Sequence, residues 1–325
     1  QVPRGPIMND TVKEKYEYGR PLTYSPCTLC ARMCRAARDS GGRGACRMGC
    51  APVVARAALH MWEEPPISGT RGAGAVFFSG CSLGCIYCQN REISRGESGI
   101  ETDTRRLSEI FFELRAAGAH NIDLVTPTHF APSVIAAIDM ARSRGFDLPF
   151  IWNTSSYDTR ETIRALAGRV DIFLPDLKYS GGALAEKYSA APDYPAVARA
   201  AIEEMMRISP TPVYDNEGIM RRGVIARILL LPGRVAEAKR SVAYLYHTYG
   251  DNIVISLMSQ YTPLQNLPRE LSRPVSREEY RDLCDYAMRI GVTNAFIQEG
   301  GAAAESFIPP FDNTGVLPRE QGGAG

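Results

Sequence analysis

The stretch AVFFSGCSLGCIYCQN, residues 75–90, runs a short apolar segment straight into a glycine-containing loop with thiols at Cys81, Cys85 and Cys88. AVFFS (75–79) predicts a buried strand, being short, apolar and rich in aromatic side chains. Three cysteines in such a loop can hold three corners of a cubane iron–sulfur cluster. With no fourth cysteine in the loop, one iron stays open to a small molecule. Structural zinc wants four closed protein ligands, usually in CxxC pairs, and the CxxxCxxC spacing here fits that poorly.

Downstream of the loop, short apolar runs alternate with amphipathic helical stretches. A helix after Thr104 puts Leu107, Ile110, Phe111 and Leu114 on one face and stops at Gly118. NIDLV (121–125), PFIWN (149–153), DIFLP (171–175), GVIARILLLPG (223–233), NIVISLM (252–258) and NAFIQ (294–298) read as further strands. Between them fall helices over 132–144, after Thr159, near 195–208, over 236–249 and from the capping box Ser276–Glu279. Such sustained alternation calls for parallel strands with helical crossovers, in a barrel or an open doubly wound sheet. In either, chemistry gathers at the carboxyl ends of the strands.

The chain has 325 residues, 45% of them apolar, enough to bury a full core. With 37 basic and 36 acidic residues and a net charge of +1, it has no overall footprint for nucleic acid or an anionic membrane. No apolar run approaches a bilayer span and the polar start lacks a signal-peptide centre, so a cytoplasmic protein is expected. Residues 1–62 read as an N-terminal extension with a Cys-rich segment and 63–74, rich in Pro and Gly, as a linker. Residues 75–300 then form the domain of alternating strands and helices, and 301–325 a tail without periodicity that wraps the surface or is disordered.

Eight of the nine cysteines lie between Cys27 and Cys88, a clustering that suits metal rather than disulfides. In PCTLCARMCRAARDSGGRGACRMGC (26–50), Cys27, Cys30, Cys34 and Cys46 would close a four-thiolate site, with Cys50 a spare thiol or alternative ligand. Either zinc or an auxiliary iron–sulfur cluster fits that donor set. The cluster is preferred because a neighbouring cluster already requires iron–sulfur assembly. Arg32, Arg35, Arg43 and Arg47 would offset the thiolate charge.

The loop GCSLGCIYCQN directly after the first strand resembles the CxxxCxΦC motif of radical S-adenosylmethionine enzymes, with Tyr87 at the aromatic position. That resemblance implies an α/β fold, a partial parallel (β/α)6 barrel. It implies a 4Fe-4S cluster on Cys81, Cys85 and Cys88, and S-adenosylmethionine cleaved to a 5′-deoxyadenosyl radical. Residues 75–300 are similar to the branch containing pyruvate formate-lyase activating enzyme, and the cysteine-rich leader with HMWEEPPISGT, PTHF and LPDLKY resembles stand-alone relatives of it.

By that likeness Thr126 and Thr128 of VTPTH stand where the family binds the methionyl amino group. Asn153, Thr154 and Asp176 lie near the methionyl carboxylate, directly or through a bound monovalent cation. Lys178 is on the same rim, and Arg227 reaches the active site. Asp176 and Lys178, two apart, could equally form a rim ion pair. The implied partners are a protein or peptide substrate, or a small molecule, and a reduced electron donor of ferredoxin or flavodoxin type. A non-catalytic scaffold is the reading from another class.

Overall fold

The structure, a computed structural model, describes residues 21–297 and 308–318. The polar start, the last residue of the strand expected over 294–298, and residues 301–307 and 319–325 of the tail lie outside the described residues.

Among the described residues, ten strands form one sheet: β1 (Val53–His60), β2 (Ala73–Phe78), β3 (Ile100–Glu101), β4 (Ile122–Val125), β5 (Phe150–Thr154), β6 (Ile172–Pro175), β7 (Val213–Tyr214), β8 (Met220–Leu229), β9 (Val254–Met258) and β10 (Ala295–Ile297). β2, β4, β5, β6, β8, β9 and β10 pair in parallel and in unbroken chain order. A doubly wound sheet reverses its strand order at a switch point, and this one does not. With right-handed crossovers, a monotonic order puts every helix on one face and curls the sheet toward a barrel. The sheet ends at β3 and β10, so the barrel is partial. β10 adds a seventh parallel strand to the six of the expected architecture.

The helices are α1 (Pro65–Ser68), α2 (Arg91–Ser94), α3 (Thr104–Ala116), α4 (Ala131–Ser143), α5 (Arg160–Arg164), α6 (Gly182–Ser189), α7 (Tyr194–Ile208), α8 (Val235–Tyr249) and α9 (Arg277–Arg289). The Asp103 carboxylate caps α3 by accepting from Arg106 N at 2.6 Å, and Leu107, Ile110, Phe111 and Leu114 are buried as their spacing requires. Ser276 and Glu279 form the reciprocal capping box of α9. Among the described residues, no helix is long and apolar enough to cross a membrane.

The period of two along each strand sorts the sheet's faces. Phe150 and Trp152 face the helices in the main core, whereas Ile151, Ile172, Leu174, Ile225 and Val254 form a separate cluster inside the barrel. Continuing each inward row toward the strand's carboxyl end reaches Asn153, Asp176, Arg227 and Ser256. The interior thus turns from apolar to polar along the strands.

β1 runs antiparallel to β2 in the same sheet, so residues 61–72 link two paired strands and include α1. The leader, residues 21–50, packs on the loops around β5. Ala31 N donates to Tyr157 O at 3.1 Å, Thr162 Oγ1 donates to Leu29 O at 2.8 Å, and Leu29 and Met48 are buried. Tail residues lie along β1, with Asn313 N donating to Ala55 O at 2.9 Å and Ala57 N to Thr314 O at 2.8 Å.

Candidate active site

The cysteine loop leaves the end of β2 and is pinned from several sides. Gly80 N donates to Ile93 O at 2.7 Å, and Ile86 N donates to Tyr188 O at 2.9 Å. The buried His129 ring donates through Nε2 to Ser79 O at 2.7 Å. Gly80 has φ +85°, and a Cβ there would stand 2.9 Å from the Cys46 carbonyl oxygen, so the glycine lets the leader press against the loop. Ser189 Oγ donates to Cys85 Sγ at 3.1 Å.

The loop forms one wall of a cleft of about 380 Å³ at the carboxyl ends of the parallel strands. Cys81, Cys85, Cys88, Tyr87, Thr126, Asn153, Thr154, Asp176, Lys178 and Arg227 all line it. No other cysteine does, so the donor set facing the cleft is three thiols. Burial, then the neighbouring Cys85, raises the Cys81 thiol; burial pushes Cys88 up to about 12. Tyr87 is buried edge-on among the rings of Tyr179, Tyr188 and Tyr261.

Thr128 is the exception among the expected contacts. It sits in a 3-10 turn, its Oγ1 donating to the buried Asp158 Oδ1 at 2.5 Å, and it does not line the cleft. Asp158 needs such donors because burial otherwise pushes its carboxyl up. Thr126 lines the cleft with φ +60°, a left-handed conformation unusual for a β-branched residue, and its N–H donates to Asn153 O at 2.8 Å.

Asp176 is no surface ion pair. Its Oδ1 accepts from Arg227 Nε at 2.9 Å and its Oδ2 from Lys178 Nζ at 2.7 Å, with 18% of its side chain exposed. Burial pushes the carboxyl up, but Arg227 and Lys178 outweigh it and hold it below the usual range. These two cations offset the Asp176 charge.

Arg227 donates as well to Glu63 Oε2 at 3.2 Å and Asn153 Oδ1 at 2.5 Å, and Asn153 Nδ2 donates to Asp123 Oδ2 at 3.2 Å. Glu63 and Glu64 line the cleft and Asp123 lies just beneath it, yet composition marked the glutamates only as linker. Asp123 carried a signal, a carboxylate inside an otherwise apolar strand. Burial, then repulsion from Glu63, pushes the Asp123 carboxyl well above the usual range.

In the leader, Cys30 lies close enough to Cys46 and Cys27 for both to add to burial in raising its thiol to about 12, and Cys46 lies near Cys27 and Cys34. The arginine facing these thiols is Arg38, whose Nη1 donates to Cys27 Sγ at 3.5 Å and to His129 O at 2.6 Å. Arg32 instead turns to backbone carbonyls of the cleft loop, and Arg43 and Arg47 reach the carbonyls of Arg47 and Arg95. Among the described residues, no three His, Cys, Asp or Glu side chains surround a point tightly enough to ligate a single ion.

MJ0674, an uncharacterized protein of Methanocaldococcus jannaschii, is 24% identical over 249 residues, covering 74% of this chain and 67% of that protein. Among solved structures, the chain is similar to Streptococcus suis SuiB bound to S-adenosylmethionine, at a TM-score of 0.46 and 12% identity over 67% of this chain and 48% of that one. It is similar also to native anSMEcpe with bound AdoMet and Kp18Cys peptide, at 0.47 and 11% over 65% and 57%. The chain thus spans about half the length of these two structures. Residues 68–181 match the family model described as a 4Fe-4S single cluster domain, and that span holds all three thiols of the cleft loop.

Proposed function

We propose that the chain is a radical S-adenosylmethionine enzyme, with a 4Fe-4S cluster held by Cys81, Cys85 and Cys88. One observation carries the reading: three thiols, and no fourth cysteine, share a wall of a cleft at the carboxyl ends of a partial parallel barrel. Such a set closes three irons and leaves the fourth for a small chelating ligand. When bound, the cluster supplies the electron that splits the sulfonium–ribose bond of S-adenosylmethionine, giving the radical that takes hydrogen from substrate.

The chain's own residues shape the rest. Ser189 orients the Cys85 sulfur, and Tyr87 packs behind the loop. Asn153, Thr154 and the Asp176–Lys178 pair present polar atoms to the methionyl group, while Arg227 holds Asp176 in register. Thr126 presents its hydroxyl from the end of β4. Cys27, Cys30, Cys34 and Cys46 hold a second iron–sulfur cluster on this reading, with zinc the alternative.

In its finer form the activity is activating-enzyme-like, hydrogen abstraction from a protein or peptide, fed by a reduced ferredoxin or flavodoxin in the cytoplasm. Modification of a small molecule or a peptide side chain is the second reading. The test is anaerobic reconstitution, reduction and assay for 5′-deoxyadenosine and methionine. Formation of both is expected, and full product formation by Cys81→Ala, Cys85→Ala and Cys88→Ala would overturn the assignment.

A further inference from the structure

Among the described residues, Glu63, Glu64 and Asp176 line the cleft with Arg227 and Lys178, and Asp123 lies just beneath it. Arg227 is engaged by Asp176, Glu63 and Asn153, and Lys178 by Asp176. Glu64 is 8% exposed and lines the cleft, and its Oε2 has no hydrogen-bond partner among the described residues. The Ser256 hydroxyl reaches its carboxyl. A carboxylate shut from water with an oxygen unmet is unfavourable unless it is protonated or finds a cation.

We propose that the Glu64 end of the cleft receives a cationic nitrogen of the substrate, a primary ammonium or guanidinium such as ends a lysine or arginine side chain. The inference rests on the function proposed above and names the substrate class of the same site. An ammonium brings several N–H donors, matching the unmet Oε2. Its alkyl stem has apolar wall to lie on, since Phe77, Met258 and Phe296 line the cleft too.

Burial raises the Glu64 carboxyl above its ordinary value, against the pull of Arg227, and a cation arriving there pulls it back down. The groups facing it are Glu63 from the link after β1, Asp123 of β4, Asp176 and Lys178 after β6, and Arg227 of β8. His60, at the end of β1, has its pKa lowered by burial.

Calorimetric titration of n-butylammonium and 1-butanol into the reconstituted full-length protein at pH 7 reads the preference. The ammonium should bind roughly tenfold or more tightly than the alcohol, the scale of one charge-assisted hydrogen bond. Glu64→Gln should abolish that preference, and Glu64→Asp should keep part of it.

Equal affinities in the wild type, or an undiminished preference in a folded Glu64→Gln, would overturn the proposal. Competition by S-adenosylmethionine, itself cationic, would also sink it by giving the subsite to the cofactor; undisturbed binding in its presence supports a substrate site. Assaying 5′-deoxyadenosine in the same wild-type sample separates the two claims. Product without ammonium preference overturns this inference alone, whereas no product overturns the function on which it rests.

Discussion

Arg32 of the leader holds Leu83 of the cleft loop: its Nη2 donates to the Leu83 carbonyl at 3.0 Å, while its Nε donates to Ser82 O at 2.8 Å. The same Nη2 reaches Ser189 O at 2.7 Å, and Nη1 donates to Ala190 O at 2.5 Å. One side chain, two residues after Cys30, thus ties the leader's cysteines to the stretch between Cys81 and Cys85.

Replacing Arg32 with lysine should therefore loosen the loop although the charge remains. Lysine lacks the planar fork that serves four carbonyls at once, and three partly buried carbonyls would lose their donor. We expect a stability loss of about 2–4 kcal/mol by denaturant titration, the scale of two charge-assisted hydrogen bonds. Alkylation of Cys81, Cys85 and Cys88 in the metal-free protein should become faster. Unchanged stability and unchanged thiol reactivity would remove Arg32 from this role.

Iron content tests the two cysteine sets separately. Reconstituted protein should carry about eight irons, and the triple Cys81→Ala, Cys85→Ala, Cys88→Ala variant about four, by the logic of one cubane per cysteine set. Cys50→Ser should change neither figure if Cys27, Cys30, Cys34 and Cys46 close the leader site. Four irons with one zinc in the wild type would assign the leader to zinc.

Asp176→Asn probes the charge at the methionyl end. Removing the carboxylate leaves Arg227 and Lys178 facing each other without the anion between them. Cofactor binding should weaken by about 1–3 kcal/mol while iron content and cluster spectrum persist. Calorimetry with S-adenosylmethionine measures it; wild-type affinity would leave Asp176 a structural ion pair.

Thr126→Gly separates strain from function. A β-branched residue in the left-handed region costs roughly 1–2 kcal/mol, and glycine's extra unfolded freedom returns up to about 1 of it. The variant should be as stable as wild type or up to about 1 kcal/mol more so by thermal unfolding, yet bind S-adenosylmethionine more weakly once the hydroxyl is gone. A variant less stable by more than about 1 kcal/mol would contradict the strain argument.

His129 gives a pH signature. Burial lowers its folded-state pKa to about 3 from the ordinary value of 6.5. Below pH 6.5 the unfolded chain takes up a proton that the folded ring refuses, so stability is full above that pH and falls as the solution is acidified. His129→Gln, which keeps a donor for Ser79 O, should have a flatter stability profile between pH 6.5 and 4. Identical slopes in the two proteins would contradict the neutral, buried ring.

Most of the barrel was legible because its strands are short apolar runs closed by glycines or helix caps. The thiol loop was legible because its spacing is specific. β1 was not, since VVARAALH follows directly on a segment whose cysteines and glycines masked its alternation. Glu63 and Glu64 read as linker because Pro and Gly surround them. Only the antiparallel pairing of β1 with β2 brings them under Arg227, and no local pattern encodes that approach. Thr126 and Thr128 share a motif, but the turn beginning at Thr128 sends one hydroxyl to Asp158 while the other residue lines the cleft. Arg32 and Arg38 look alike in sequence; their different targets depend on how the leader docks.

The tail strapped along β1 sets an order on biosynthesis. Arg106, in the first long helix, donates to the carbonyls of Gly315, Val316 and Leu317, and the buried Val316 side chain joins the core. On the ribosome, α3 and β1 emerge some two hundred residues before these partners. Until then the Arg106 guanidinium lacks its carbonyls and the Ala57 amide its acceptor. Barrel strands that pair with their sequence neighbours can assemble as they appear, whereas this seam closes only after the chain past residue 317 has left the exit tunnel. A nascent chain stalled before residue 308 should therefore carry a formed central sheet with an open edge at β1, where a chaperone would find its binding surface.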